Sequence, residues 1–246
     1  MRTRLISAVL AVAGLGLVIL AVAAAAGPPD LHNGGDLHEG IGQGTQRDLH
    51  KGVTYRASAF PVTVLLRPPD DRWGGVQFQS GRFRFIQLHH LRVGSSPLHG
   101  SGYITIEAAT GPTASVAKTV ARLRATPKIH AGPLKSASVA GWAGKTFDAT
   151  IVGSDRAKPL GISLAPFTTN RHCGYCAKTM HGETQDVKFA GKGQLFRIMV
   201  VAIQGKTVVI YLESGFADQP RFPPAKLFPT FLPYARQMLA SLIFPG

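Results

Sequence analysis

The chain has 246 residues, 45% of them hydrophobic, and carries 27 Lys and Arg against 13 Asp and Glu, a formal net charge of +14. This length is enough for one domain with a buried core, and so basic a chain suits anionic partners such as lipid headgroups or acidic wall polymers. The basic residues are scattered without a continuous run, which argues against a dedicated nucleic-acid motif.

Residues 1–26 have the order of charge, apolar stretch and small residues that is typical of an export signal. Arg2 and Arg4 precede an uncharged apolar stretch from Leu5 to Ala26. Because about 20 apolar residues can also cross a bilayer, the segment is predicted to be either a cleaved signal peptide or a retained membrane anchor. In both cases the rest of the chain is expected outside the cytoplasm, secreted or membrane-anchored.

Residues 27–54 are rich in glycine and repeat the triplet Asp-Leu-His at positions 30, 36 and 48. Large apolar side chains are rare there, so the stretch is predicted to be a flexible linker that does not fold alone. Its histidines and aspartates could hold a metal weakly, but a solvated spacer is the preferred interpretation. A single extracytoplasmic domain is predicted over residues 55–246.

From residue 55 onward, short apolar runs alternate with turn residues. Strands are predicted at 61–66, 82–88, 103–107, 136–141 and 145–153, and a hairpin over 195–214. Turns are predicted at 67–75, around 141–144, and at Gly205-Lys206, where glycine suits a two-residue hairpin loop.

Two helices are predicted. The first covers 111–127, is capped by Thr113 or Ser115, and ends at Pro127. The second covers 230–244 and is capped by Thr230. Its buried stripe is predicted to consist of Leu232, Ala235, Met238, Leu239 and Leu242. Consecutive strands with short turns favour an α+β fold, a mainly antiparallel sheet packed by helices after the N-terminal segment.

The strand pair SASVAGWAGKTFDATIVG (136–153), the hairpin strand GKTVVIYLES (205–214) and the final LASLIF resemble the end of the PsbP-like α-β-α sandwich. The resemblance covers about residues 100–245. It implies an extracytoplasmic binding or assembly domain without catalysis, and it offers no catalytic residues to carry over. The insertion around Cys173 departs from the plain pattern of this family, and the chain lacks the N-terminal cysteine of its lipoprotein members.

Enzyme motifs are missing from the sequence. AGKT and QGKT lack the first glycine of a phosphate loop, since Val139 and Val200 stand in its place. Neither a nucleophile elbow nor a His-Glu-x-x-His zinc motif occurs, and no catalytic residue is predicted. His89 and His90 end a strand, where neighbours point to opposite faces, so they are not expected to share a ligand.

Cys173 and Cys176 are the only cysteines of the chain. A local disulfide that stiffens its loop is the leading interpretation for an exported protein. A redox centre is an alternative, because Cys-Gly-Tyr-Cys resembles the motif of thioredoxin-like disulfide isomerases, although a poor helix follows it. A second alternative is a zinc or copper site formed with His181 and Asp186. The third alternative is that both cysteines are free thiols without a role.

The sequence therefore predicts a non-enzymatic extracytoplasmic domain of the cell envelope. Its basic surface is expected to bind an anionic envelope component or a protein partner, with specificity carried by the loop around the cysteines. An uncleaved N-terminal segment would add a membrane contact, and nucleic acid is not an expected partner. No cofactor is predicted. The alternative is a thiol-disulfide or metal-handling protein, using zinc or copper, that acts through Cys173 and Cys176.

Overall fold

A computed structural model of the chain describes residues 27–31, 47–80, 83–90, 102–108, 115–126, 129–152, 193–214 and 223–246. The strands within these ranges are β1 (Arg47–Leu49), β2 (Tyr55–Ala57), β3 (Val64–Leu66), β4 (Trp73–Ser80), β5 (Phe83–His90), β6 (Gly102–Ala108), β7 (Ile129–Ala131), β8 (Lys135–Val139), β9 (Trp142–Ile151), β10 (Leu195–Ile203) and β11 (Lys206–Glu213). The helices are α1 (Val116–Arg124) and α2 (Pro224–Ala240). The sheet-dominated α+β class that the sequence predicts is confirmed.

Nine of the described strands form one sheet in the order β1-β4-β5-β6-β11-β10-β9-β7, and β8 pairs with β9 beside β7. The strands β2 and β3 form a separate pair, and every pairing between these strands is antiparallel. Ala131 lies opposite Ala149, whereas Lys135 lies opposite Thr146, so β7 and β8 carry one residue more than β9 between these pairs. The two strands therefore follow one edge that is interrupted by a bulge at 132–134.

Two tight turns of the sheet that lie within the described ranges use residues with positive φ. Gln204 and Gly205 join β10 to β11 with φ of 49° and 73°, and Ala140 and Gly141 join β8 to β9 with φ of 49° and 84°. Two consecutive residues with positive φ match the twist of the flanking strands. The predicted turns started at Gly205 and Gly141, one residue too late, because a non-glycine residue takes the first position of each turn.

Other predicted boundaries also shift. The strand expected at 61–66 is confined to β3, and the turn expected at 67–75 ends before Trp73, where β4 begins. The alternation of β6 predicted a strand with one solvated face. Thr105 and Glu107 are nevertheless buried like their apolar neighbours, with 2% exposure each. The alternation of side chains therefore predicts the position of this strand correctly, but it does not predict that both of its faces are buried.

Helix α1 packs on the face of the sheet formed by β9, β10 and β11. Its Val120 and Leu123 belong to a buried cluster with Phe147, Ile198 and Tyr211. The helix begins where Ser115 accepts a hydrogen bond from the backbone N–H of Lys118 at 3.3 Å. Of the two capping residues that the sequence predicted, Ser115 therefore caps the helix. Its side chain accepts a hydrogen bond from an amide that has no partner within the helix.

Helix α2 covers the opposite face. Successive residues of β10 alternate between the faces, so Ile198 contacts the α1 cluster while Met199 belongs to the α2 cluster. Ala235, Met238 and Leu239 are buried there, as predicted. Leu242 is also buried, and it lies just after the end of the helix. Leu232 is only partly buried.

The start of α2 differs from the prediction. The helix begins at Pro224, and Thr230 is an internal residue whose hydroxyl donates to the carbonyl of Leu227 at 2.8 Å. Pro229 and Pro233 lie within the helix on exposed positions. The prediction assigned Pro229 to a loop before the helix and Pro233 to the first helical turn, but exposed prolines inside a helix remove backbone hydrogen bonds on the side where water can replace them.

The described parts of residues 27–54 are not the free spacer that was expected. The side chain of Asp30 accepts two hydrogen bonds from Arg56, at 2.9 and 3.2 Å, and the N–H of Leu31 donates to the carbonyl of Arg56. Leu31 and Leu49 are each 2% exposed and lie against Gly75. The leucines of two Asp-Leu-His triplets therefore bury apolar surface in the domain, which begins before residue 55.

Within the described ranges, neither helix is long and apolar enough to cross a bilayer. Residues 1–26, where the signal peptide or membrane anchor is predicted, lie outside those ranges.

Candidate functional site

A groove of about 680 Å³ lies between α2 and the outer strands of the sheet. Strand β8 forms one wall, the C-terminal half of α2 forms the other, and β9 and β10 form the floor. Its volume is within the usual range of ligand-binding clefts, which is about 300–1,000 Å³.

The floor of the groove is apolar where the sheet meets the helix. Met199 and Leu212 point to this face from β10 and β11, and Leu239 approaches them from α2. Pro133 lines the groove from the bulged edge between β7 and β8. Bulges are frequent beside binding sites because they redirect the side chains of an edge strand.

Charged side chains surround this floor. Arg197 and Asp148 are opposite each other in the β10–β9 register and form a bidentate ion pair, with N···O distances of 2.7 and 2.9 Å. Lys135 on β8 and Arg236 on α2 also line the groove and are exposed. Neither forms an ion pair with any residue in the part of the chain that the structure describes. Three cations and one carboxylate thus give the groove a positive charge.

A second cluster, centred on Tyr234, also ties α2 to the sheet. The buried ring of His90 stacks on Tyr234, with 4.3 Å between centroids, and contacts Trp73 at 4.8 Å. Nε2 of His90 lies 3.7 Å from an oxygen of Asp70. Arg72 donates to the same carboxylate at 2.6 Å and lies over the ring of Tyr234. These contacts join the loop before β4, strands β4 and β5, and the helix.

The charge of Asp70 is stabilised by this cluster. Partial burial alone would raise the pKa of the carboxyl, but hydrogen bonds from the side chain and the backbone of Arg72 outweigh it. The positive charges of Arg72 and His90 act in the same direction, so the pKa of Asp70 lies below its usual value. We interpret the cluster as a packing contact, because His90 is fully buried.

His89 points to the opposite face of the sheet. Its ring stacks on Tyr103 with 4.1 Å between centroids and an interplanar angle of 7°. Burial, and secondarily the neighbouring charge of His90, lower the pKa of His89 to about 4. The prediction that these two histidines do not share a ligand agrees with their positions on opposite faces of β5. Burial also raises the pKa of Tyr103, assisted by the charge of Glu213.

The cysteine loop lies elsewhere in the chain. Cys173, Cys176, His181 and Asp186 are all outside the described residues, so the disulfide, redox, metal and free-thiol interpretations stay predictions. Within the described ranges, no three His, Cys, Asp or Glu side chains come together as a metal site would require.

The sequence interpretation did not single out Lys135, Asp148, Arg197 or Arg236. Asp148 and Arg197 are 49 positions apart and meet only through the pairing of β9 with β10. The sequence held one signal: a charged residue stands within each of two mainly apolar strand segments, FDATI (147–151) and LFRIM (195–199). Charges at such positions need partners or solvent, and a groove supplies both.

The chain is thus a sheet-dominated α+β protein with a basic groove at one side of its sheet. Comparisons with protein-family models, with curated proteins and with solved structures found no match.

Proposed function

We propose that this chain is a non-enzymatic extracytoplasmic binding domain of the cell envelope, and that an anionic envelope component binds in the groove between β8 and α2. The observation that carries the proposal is the composition of the groove. Lys135, Arg197 and Arg236 surround an apolar floor against one carboxylate, Asp148. Complementary charge of this kind concentrates and orients an anionic ligand.

Two sequence features agree with this assignment. The segment 1–26 has the pattern of an export signal or anchor, which would place the domain where acidic polymers and lipid headgroups occur. The resemblance to PsbP-like domains implies binding or assembly rather than catalysis. An antiparallel sheet with a helix on each face is compatible with that family.

The test compares two double variants with the same change in net charge. Lys135→Gln with Arg236→Gln removes the two cations that form no ion pair in the groove. Lys206→Gln with Lys226→Gln removes two exposed cations outside it. Affinity is measured for linear inorganic polyphosphate, which represents an acidic polymer, and for vesicles that contain phosphatidylglycerol.

We expect the groove variant to weaken binding of at least one of the two probes about tenfold or more, and the control to change it by about twofold or less, because contacts between close charges exceed screened long-range attraction. Equal losses in both variants would mean that binding follows overall charge, and the groove assignment would fail.

The alternative function is thiol-disulfide or metal handling by the cysteine loop. It is suggested by the spacing of Cys173, Cys176, His181 and Asp186. Intact mass of the mature protein, under native and denaturing conditions with a thiol-alkylating reagent, distinguishes the possibilities. A mass two hydrogens light without label supports the structural disulfide. A bound metal ion in the native state, with both thiols labelled only after denaturation, supports the metal site.

A further inference from the structure

The central cation of the groove is already engaged by the protein itself. The guanidinium of Arg197 donates from Nε and Nη2 to the two oxygens of Asp148. This paired geometry is the one with which arginine binds the carboxylate or phosphate of a ligand. An incoming anion therefore cannot use the Nε–Nη2 edge of Arg197 unless it displaces Asp148, and at the remaining Nη1 edge it meets a guanidinium whose charge Asp148 already balances.

The two remaining cations of the groove lie on different walls. Lys135 is on β8 and Arg236 is on α2. Strand β9 separates β8 from β10, and Lys135 is level with Thr146, two residues along β9 from the partner of Arg197. The backbones of Lys135 and Arg197 are therefore roughly 12 Å apart. A single small anion fills only part of the groove of about 680 Å³, whereas a chain with repeated anionic groups can extend along it to both walls.

Asp148 is well placed to act on such ligands. Its side chain is 55% exposed, whereas that of Arg197 is 25% exposed, so the carboxylate is the more accessible member of the pair. An anion that approaches the floor meets this negative charge within one Debye length, which is about 10 Å at 0.1 M ionic strength. The carboxylate thus both occupies Arg197 and repels an anion aimed at it.

We propose that Asp148 determines the specificity of the groove: by occupying Arg197 it disfavours compact anions and leaves an extended polymer with repeated anionic groups as the ligand that fits. This inference rests on the proposed function. Lys135 and Arg236 then provide the contacts with the polymer, and Arg197 contributes little while Asp148 is in place.

The experiment measures affinities by calorimetry at pH 7 and 0.1 M salt, with linear inorganic polyphosphate as the extended probe and inorganic orthophosphate as the compact one. We expect the wild-type chain to prefer polyphosphate. Asp148→Asn should tighten orthophosphate binding about tenfold, because one bidentate contact to Arg197 becomes available. The preference for polyphosphate should therefore fall.

The arginine itself is tested by removal. Removing the pair as a unit, with Asp148→Asn and Arg197→Gln together, should change polyphosphate affinity by about twofold or less, because the two side chains neutralise each other in the wild type. The double variant Asp148→Asn with Arg197→Gln should lose the gain in orthophosphate affinity. A gain that persists without Arg197 would overturn the inference, and so would a double variant that loses as much polyphosphate affinity as Lys135→Gln.

Asp48→Asn is the matched control. It removes an exposed carboxylate on β1, outside the groove, and changes net charge by the same amount. Equal gains for Asp48→Asn and Asp148→Asn would overturn the inference, since the effect would then follow net charge.

If polyphosphate binds equally to the wild type and to Lys135→Gln with Arg236→Gln, the proposed groove site for this polymer fails and the inference fails with it. If that double variant loses polyphosphate but Asp148→Asn gains nothing, only the specificity role fails.

Discussion

His89 should make the stability of this protein depend on pH. Its pKa is about 4 in the folded state, mainly because of burial, against 6.5 for an exposed imidazole. As pH falls below 6.5, the unfolded chain therefore binds a proton that the folded chain does not bind. The contribution of neutral His89 is fully present above about pH 7 and is lost between pH 6.5 and 4. Each unit of pKa difference corresponds to about 1.4 kcal/mol, so the loss amounts to about 3 kcal/mol.

The assay is urea unfolding, followed by circular dichroism, at several pH values between 7.5 and 4. We expect the free energy of unfolding of the wild type to fall by about 3 kcal/mol more over this range than that of His89→Gln. His130→Gln, which removes an exposed imidazole on β7, is the matched control and should follow the wild type. Parallel curves for the wild type and His89→Gln would show that His89 binds its proton equally in both states, and the burial argument would be refuted.

Three further predictions concern stability. Leu31→Ala should cost about 2–5 kcal/mol of unfolding free energy, since Leu31 is 2% exposed. Chemical denaturation measures this cost, and a cost below about 0.5 kcal/mol would indicate a free linker. Gly144→Ala should lower the thermal midpoint by several degrees, because its Cβ would collide with the backbone of β10. An unchanged midpoint would contradict this packing. Asp70→Asn should destabilise the fold more at pH 7 than at pH 3, because the lowered pKa of Asp70 makes its contribution fully present well above the unfolded value of 3.8 and smaller below it. Thermal midpoints at both pH values test this, and an equal deficit at both would contradict it.

Local patterns located most of the strands correctly, because alternation and short apolar runs reflect which side chains a sheet buries. The turns were placed one residue late, since Gln204 and Ala140 adopt positive φ without being glycine. The start of α2 was missed because Pro224 and Pro229 were assigned to a loop before the helix.

Features that depend on long-range pairing could not be predicted. Leu31 is buried because the amide of Gln77, 46 positions away, donates to its carbonyl and because Gly75 leaves room beside it. The groove requires that β9 and β10 align Asp148 with Arg197 while α2 brings Arg236 to the same face. No local periodicity encodes such distances. Composition led to the prediction of an anionic partner, but it could not indicate which residues would form the proposed site.

The attachment of Asp30 to Arg56 changes how far the domain can reach from the N-terminal segment. A free coil of 28 residues, as residues 27–54 were predicted to be, would span about 30 Å on average. Only residues 27–29 separate Asp30 from the apolar stretch, and three residues extend over at most about 10 Å. If the stretch is retained as an anchor, β2 and the loop that holds Asp30 therefore lie at the lipid headgroups, and the domain has few orientations available to it. If the stretch is cleaved near Gly27, the new amino terminus lies beside the ion pair, and a fluorophore placed there would report on the folded domain rather than on a loose tail.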